Sequence, residues 1–424
     1  MKRILVFSVF AFFLVFLLSR LTNNSPWPSD SASSSTLFSS YSSPLKSLDA
    51  ATSYYVHESA ILDNIVEAPL DYDYVARPYR LVSRLLESLP EPRYYDESGA
   101  LLGSDPEPGL VSRVEYLLRL RSGLRYQEHP CFVRDADGSA YYAQAARLPK
   151  KAVSLLDFPR QGSRELRAED FRLALIRLCD PRLSSPVYSN LSSFISGMRE
   201  CSEQMRERLS AADVDFLDYR GLDFDGIEVL GEREFKLCLS RKYPQALYWL
   251  AMHFFAPLPW EALEFYALPQ VRAAGFSLQN WPVGSGPYKM SRMQPNLQVL
   301  LERNQNYEGR SPEERQAPGS IIERIVFQYE REAIPGWIKF NQGYYDHSGL
   351  PSDFLQNATD FSGGGELQLS KELLAKGLEM HQSITPTIFY FGFNMLDETV
   401  GGSGESERLL RLALSIVLDS QEFI

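Results

Sequence analysis

A turn held between two glycines, Gly284–Ser285–Gly286–Pro287, constrains this chain more than any other stretch. The glycines allow backbone conformations and close approaches that other residues resist, and Pro287 fixes one φ at about −65°. A strand signal follows at once in Tyr288–Met290. A second apolar run, Leu297–Leu301, rises after Pro295 and Asn296, and Asn304–Gly309 closes the unit with a polar turn. Taken by itself, Trp281–Gly309 is a hairpin with ordinary turn chemistry.

The 424 residues allow two or three domains and ample core. The 23 Tyr and 25 Phe suit either a binding cleft or well-filled cores. A net charge of −11, with no Lys/Arg tract beyond the N-terminus, argues against nucleic acid as a partner. Cys131, Cys179, Cys201 and Cys238 lack C-x-x-C spacing and a nearby His pair, so no metal site is expected. They read either as free buried thiols or as two disulfides in any of three pairings. The five histidines include no H-E-x-x-H, and G-x-S-x-G is absent. Gly363–Gly365 and Gly401–Gly404 are glycine-rich without a P-loop lysine. No catalytic residue and no cofactor is therefore assigned.

Lys2 and Arg3 precede Ile4–Leu18, an uncharged apolar run. As a helix it spans about 22 Å, short of a ~30 Å hydrocarbon core, which is a secretory signal pattern. No clean small-x-small cleavage site follows, so removal and retention as an anchor both stay open. Ser25–Ser47, serine-rich with three prolines, reads as a flexible tether. Tyr116, Leu118 and Leu120 alternate as a half-buried strand ending at Ser122–Gly123. His129 reads as a loop residue, and Asp135–Gln161 as an insertion or long surface loop. Phe171–Pro181 carries the clearest helix, with Arg167 where a better cap would stand; Leu191–Leu209 reads as another. Strands are expected at Ile227–Leu230, Phe235–Leu239 and Ile321–Glu330, and helices at Glu332–Phe340 and Leu369–Lys376; Phe389–Phe393 also has the look of a buried parallel strand. Tyr243–Trp260 reads as a buried helix with a proline-ended loop. The wide apolar stripe of Glu407–Ile424 predicts a helix buried on most sides.

Several strings together carry a resemblance. They are G-S-G-P-Y with L-E-R-N-x-x-Y-x-G at Gly284–Gly309, L-D-A-A at Leu48–Ala51, and N-I-V-E at Asn64–Glu67. To these add Y-P-Q-A-L-Y-W-L-A-M-H-F-F-A-P-L-P-W-E at Tyr243–Glu261, G-Y-Y-D-H-S-G-L at Gly343–Leu350, and T-I-F-Y-F-G-F-N-M at Thr387–Met395. The chain resembles the extracellular solute-binding proteins of ABC importers, family 5, the oligopeptide- and dipeptide-binding group. Ala50 departs from that family's proline, and Ala68 from its glycine.

The resemblance implies an α/β, type II periplasmic-binding-protein fold: two lobes with hinge crossovers, lobe one subdivided, lobe two incomplete. Expected boundaries are 1–24 for the signal or anchor and 25–47 for the linker. Residues 48–75 with 283–386 make the lobe-one core, 76–282 its subdomain, and 387–424 the start of lobe two. The implied function is a periplasmic substrate-binding protein that closes on peptides and delivers them to ABC permease subunits in the inner membrane. One alternative cargo on the same fold is a sugar, opine, metal chelate or antibiotic peptide. Another role is that of an exported, membrane-tethered interaction protein. By position, Glu67 is the candidate for the ligand's amino end, Tyr390 and Phe391 for cleft walls, and Gly392 for close backbone approach. Asp346, Ser348 and Gly349 border the cleft. Similar proteins continue well beyond the equivalent of Ile424, so a partial chain that binds peptides poorly is expected.

Overall fold

The first strand, β1 (Thr36–Tyr41), forms inside the serine-rich stretch assigned above to a flexible tether. The computed structural model describes residues 13–16, 35–211, 216–307, 322–361, 367–383, 387–388 and 390–418. Within β1, Ser39 and Tyr41 are buried and alternate with more accessible neighbours. A serine costs little to bury once its backbone is paired, and Leu37, Phe38 and Tyr41 supply the apolar side chains. The tether expectation is thus corrected from Thr36 onward. Leu48–Ala51 leads into a largely buried turn in which Asp49 Oδ1 accepts the Ala51 N–H at 3.0 Å. Of the export segment, residues 1–24, only the helical Phe13–Phe16 lies among the described residues. No helix among them is long and apolar enough to cross a membrane.

The remaining strands of the larger unit, in chain order, are β2 (Leu70–Tyr72), β3 (Leu81–Ser83), β4 (Pro92–Tyr95), β5 (Arg113–Arg119) and β6 (Ile227–Val229). They continue with β7 (Glu234–Leu239), β8 (Tyr288–Gln294), β9 (Gln298–Arg303) and β10 (Arg324–Tyr329). One sheet runs β1-β10-β9-β8, with β1 parallel to β10 in the register Tyr41↔Tyr329 and the other pairs antiparallel. The second, β4-β5-β7-β6, is antiparallel throughout, and β2 pairs with β3. The expected alternation in β5 holds, since Tyr116, Leu118 and Leu120 are buried. A single apolar core joins the two larger sheets, from Tyr41 and Leu48 through Leu118 and Leu239 to Phe327.

The Gly284–Pro287 turn is the seam of this unit. Gly286 N–H donates to Ile65 O at 2.8 Å and Tyr288 N–H to Asn64 O at 3.0 Å. Gln127 N–H donates to Gly284 O at 2.9 Å, and Asn304 Nδ2 to Gly286 O at 2.9 Å. Three other segments therefore meet on one backbone stretch, which leaves no room for a side chain at Gly284.

The Ala168–Leu178 helix forms where its apolar face predicts. Asp170 partly compensates the poor cap, because its carboxylate accepts the Arg167 N–H at 2.9 Å and holds Arg164 at 2.7 Å. The helix expected over Leu191–Leu209 is broken. A short turn at Tyr188–Leu191 and the Met198–Ala211 helix are separated by Gly197, whose φ of +72° a helix cannot accommodate. Tyr243–Trp260 yields only Ala246–Trp249 and a 3-10 turn at His253–Phe255, and the longer helix starts at Trp260. Asp135–Gln161 contains only 3-10 turns, yet it is no mere surface loop: Tyr142, Leu155 and Phe158 are buried, and Phe158 meets Phe265 edge-on. Its aromatic anchors are too widely spaced to show a period.

The chain divides into Met1–Pro351 and Ser352–Ile424, which moves the expected 386/387 boundary toward the N-terminus. In the second unit, β11 (Thr359–Phe361) pairs with β12 (Leu367–Leu369), and the Lys371–Ala375 helix follows. The described residues of Phe389–Phe393 form no strand, and Phe389 itself lies outside the described set, as do Gly363–Gly365. The Glu405–Val417 helix forms, but Leu409, Leu412, Ile416 and Val417 are exposed rather than buried. The described part of this unit offers one two-stranded sheet and short helices, too little surface to cover so wide a stripe.

Candidate functional site

Open α/β sheets place ligands beyond the C-terminal ends of their parallel strands. β1 and β10 end side by side at Tyr41 and Tyr329, where Tyr41 O accepts the Glu330 N–H at 2.9 Å. Beyond them lies a cavity of ≈ 590 Å³. Its floor is Ser39–Ser42 with Phe327 and Glu330. Val56, His57 and Ala60 of the Val56–Leu62 helix form one side, and Ala333 and Gly336 of the Ala333–Asn341 helix another. A strap, His347–Pro351, completes it. The strap is held at its base by backbone pairing: Asp346 N–H donates to Phe38 O at 2.9 Å, and Asp346 Oδ2 accepts the Phe38 N–H at 2.7 Å.

Some of the polar groups around the cavity are engaged with one another. Glu330 is buried and accepts hydrogen bonds from Lys339 Nζ and the Tyr345 hydroxyl, so its charge is engaged. Burial first, and Glu330 second, push the Tyr345 phenol well above its usual range. The Tyr41 phenol is pushed up to about 12 by burial and by Tyr329. Its hydroxyl has no partner among the described residues. His57 Nε2 donates to Pro44 O at 3.4 Å. Serine hydroxyls, two imidazoles and Glu332 line the rest of the cavity beside apolar Val56, Phe327 and Leu350. Among the described residues no group of three or more His, Cys, Asp or Glu could hold a metal ion.

The residues expected from sequence separate into three places. Ser348 and Gly349 line this cavity, and Asp346 fastens the strap. Glu67 lies instead at a pocket of ≈ 80 Å³ with Arg121, Arg125, Ser285, Asn306 and Tyr307. It is buried and held by Arg84 Nε at 2.6 Å, while Arg84 also grips Asp71. Burial lifts the Glu67 carboxyl above its ordinary value, against the pull of Arg84, Arg121 and Ser285. It is therefore not a free carboxylate on the cavity but one already paired with Arg84. Tyr390, Phe391 and Gly392 belong to the second unit, where Tyr390 is 85% and Phe391 62% exposed. Ser39–Ser42 were missed because averaging over 25–47 hides the alternation in Thr36–Tyr41, and His57 and Glu330 because no local spacing marks them.

His129, expected in a loop, is buried at a 3-10 cap. Nδ1 accepts the Cys131 N–H at 3.0 Å, and Tyr266 donates its hydroxyl to Trp281 O at 2.6 Å. Nε2 must then be the protonated nitrogen, donating to the Tyr266 oxygen at 3.0 Å. Burial, with Lys289 nearby, lowers its pKa from 6.5 to about 3. The unfolded chain takes up a proton at this site that the folded chain refuses. Stability is therefore lost as the pH falls from 6.5 toward about 3. Between pH 7 and pH 5 the His129→Asn variant is expected to lose ~2 kcal/mol less than the wild type. Urea unfolding at the two pH values checks this, and equal losses would refute it.

A family model described as bacterial extracellular solute-binding proteins, family 5 Middle, matches residues 161–424. Among solved structures, a periplasmic oligopeptide-binding protein from Borrelia burgdorferi is 19% identical, with a TM-score of 0.50, covering 76% of this chain and 49% of that one. The pheromone receptor PrgZ, described for its mode of peptide binding, is 16% identical with a TM-score of 0.49, covering 76% and 48%. OppA of Listeria monocytogenes, bound to peptide, is 13% identical with a TM-score of 0.49, again covering 76% and 48%. The chain thus spans about half the length of these structures. No curated protein matches it. The Borrelia structure supports the type II periplasmic-binding-protein fold.

Proposed function

The chain belongs to the bacterial extracellular solute-binding proteins of family 5, and on that premise we propose that it captures peptides for an ABC importer. It is exported, closes two lobes on its cargo, and hands the cargo to permease subunits in the membrane. The observation that carries this reading is the cavity at the ends of β1 and β10 in a chain of this family. An extended peptide can pair its main chain with protein backbone there, which is indifferent to side-chain identity. Ser348 and Gly349 contact the ligand from the strap, and Asp346 keeps the strap in place. Tyr390 and Phe391 supply aromatic surface from the second unit, and Gly392 lets backbone approach. Glu67 acts on ligand only through the small pocket it shares with Arg121. The likeness to the oligopeptide-binding protein of Borrelia burgdorferi supports the choice of cargo.

Native mass spectrometry of the protein isolated from the periplasm, without refolding, tests this. The expected result is a mixture of intact short peptides released on denaturation. A sugar or a metal chelate in their place would change the cargo. Shortened peptides accumulating with time would make the protein a hydrolase and end the proposal.

A further inference from the structure

A second cavity, of ≈ 470 Å³, opens where the β9–β10 ladder ends against the last turn of the Ala333–Asn341 helix. Its polar lining is Gln298 of β9, Gln328 of β10, and Lys339, Gln342, Tyr344 and Tyr345 from the helix end and the residues after it. Gln298 and Gln328 are direct partners across the antiparallel ladder, which puts both side chains on one face. Val299 and Phe327 pair on the next rung and turn to the other face, into the apolar core. Phe327 also lines the cargo cavity, so adjacent residues of β10 serve the two cavities from opposite faces. Among the described residues, none of the three glutamine carboxamides hydrogen-bonds to protein. Lys339 is the one charged residue of the lining, and its Nζ donates to Glu330, which also accepts the Tyr345 hydroxyl. We propose that this cavity binds a neutral saccharide, at a site separate from the cargo cavity.

The chemistry on offer selects the ligand. Each carboxamide carries two N–H donors and one carbonyl acceptor in a plane. A sugar hydroxyl both donates and accepts, so neighbouring hydroxyls can satisfy a carboxamide with no charge taken out of water. Tyr344 and Tyr345 add aromatic surface on which the C–H face of a sugar ring can rest. A free carboxylate or ammonium fits poorly, because it would lose its hydration to a site whose one cation is already engaged. Peptide termini belong to that class. The volume falls within the ~300–1,000 Å³ of ordinary small-molecule pockets. The cargo cavity takes Ala333 and Gly336 from the start of the helix, and this one takes Lys339 from its last turn. Glu330, with Lys339 and Tyr345 bonded to it, is the wall between them.

Saturation-transfer NMR of the full chain with millimolar cellotriose, maltotriose or chitotriose reads binding, and hydrogen–deuterium exchange reads its place. Expected are transfer to at least one of the three sugars and slower exchange at Gln298, Gln328 and 339–345, with 39–42 unchanged. The Gln298→Leu/Gln328→Leu variant should bind that sugar about tenfold more weakly. Gln342→Ala, at an exposed position outside any strand, repeats the test without touching the ladder and should weaken binding about fivefold. No transfer to any of the sugars, or an affinity that neither variant changes, would overturn the proposal. So would sugar protection confined to 39–42, or short peptides protecting 339–345 in place of the sugars. Because the sugar is read at residues outside the cargo cavity, failure of this site and failure of the peptide reading give different results.

Discussion

The Gly284→Ala variant is expected to lose ~3 kcal/mol of stability or more, enough to leave much of the chain unfolded. A β-carbon at this position would stand 1.9 Å from Ile65 O and 2.6 Å from Ile65 C. Both are backbone atoms, so no rotamer change relieves the overlap. The packed backbone segments can make room only by parting, which strains the bonds from Gly286 N–H to Ile65 O and from Gln127 N–H to Gly284 O. Gly103→Ala is the matched control, because a β-carbon there meets nothing within 4 Å. It should stay within about 0.5 kcal/mol of the wild type. Urea unfolding of both variants decides the matter, and equal midpoints would show that the turn is not a seam.

Breaking the Asp49–Arg177 pair should be comparably damaging. Arg177 Nη1 donates to Asp49 Oδ1 at 2.6 Å, Nη2 grips Oδ2, and both side chains are under 10% exposed. Burial alone would raise the Asp49 carboxyl, but the charge and hydrogen bonds of Arg177 outweigh it and hold the carboxyl below its ordinary range. Removing the guanidinium in Arg177→Leu strands a buried carboxylate, at a cost of about 3–5 kcal/mol. The double variant Asp49→Asn/Arg177→Leu should lose less than the two single losses combined, by roughly 1–3 kcal/mol. A carboxyl with a lowered folded-state pKa stabilises the fold above the ordinary carboxyl range. That contribution disappears as the pH falls through the folded-state value. Acid unfolding below pH ~4 should therefore be shallower in the double variant than in the wild type. Strict additivity, or unchanged acid sensitivity, would remove Asp49 from the list of groups that hold the first unit together.

Much of the fold is legible where one period dominates a segment. β5 alternates from Tyr116 onward, the Ala168–Leu178 helix keeps its apolar face, and the glycines around Ser285 mark a close backbone approach. β1 was lost because its inward positions include Ser39, which lowers hydropathy without weakening a paired strand. Gly197 broke a helix whose periodicity ran on past it, since one left-handed residue outweighs several favourable neighbours. The site was legible in part. Ser348 and Gly349 fall on the cavity, whereas Glu67 turned inward to Arg84, seventeen residues later in sequence. Pairing of that kind depends on tertiary approach, which no local spacing records. The same holds for Glu330, whose partners Lys339 and Tyr345 come together only after the Ala333–Asn341 helix has formed.

The account rests on the cavity at the joined ends of β1 and β10 as the place where cargo sits. Hydrogen–deuterium exchange of the full chain, with and without a millimolar mixture of short peptides, tests it most directly. Slower exchange at Ser39–Ser42 and His347–Leu350, with the peptides recovered unchanged in mass, is the expected result. Unaltered exchange at those segments while peptide is bound elsewhere, or peptides cut during the incubation, would contradict it.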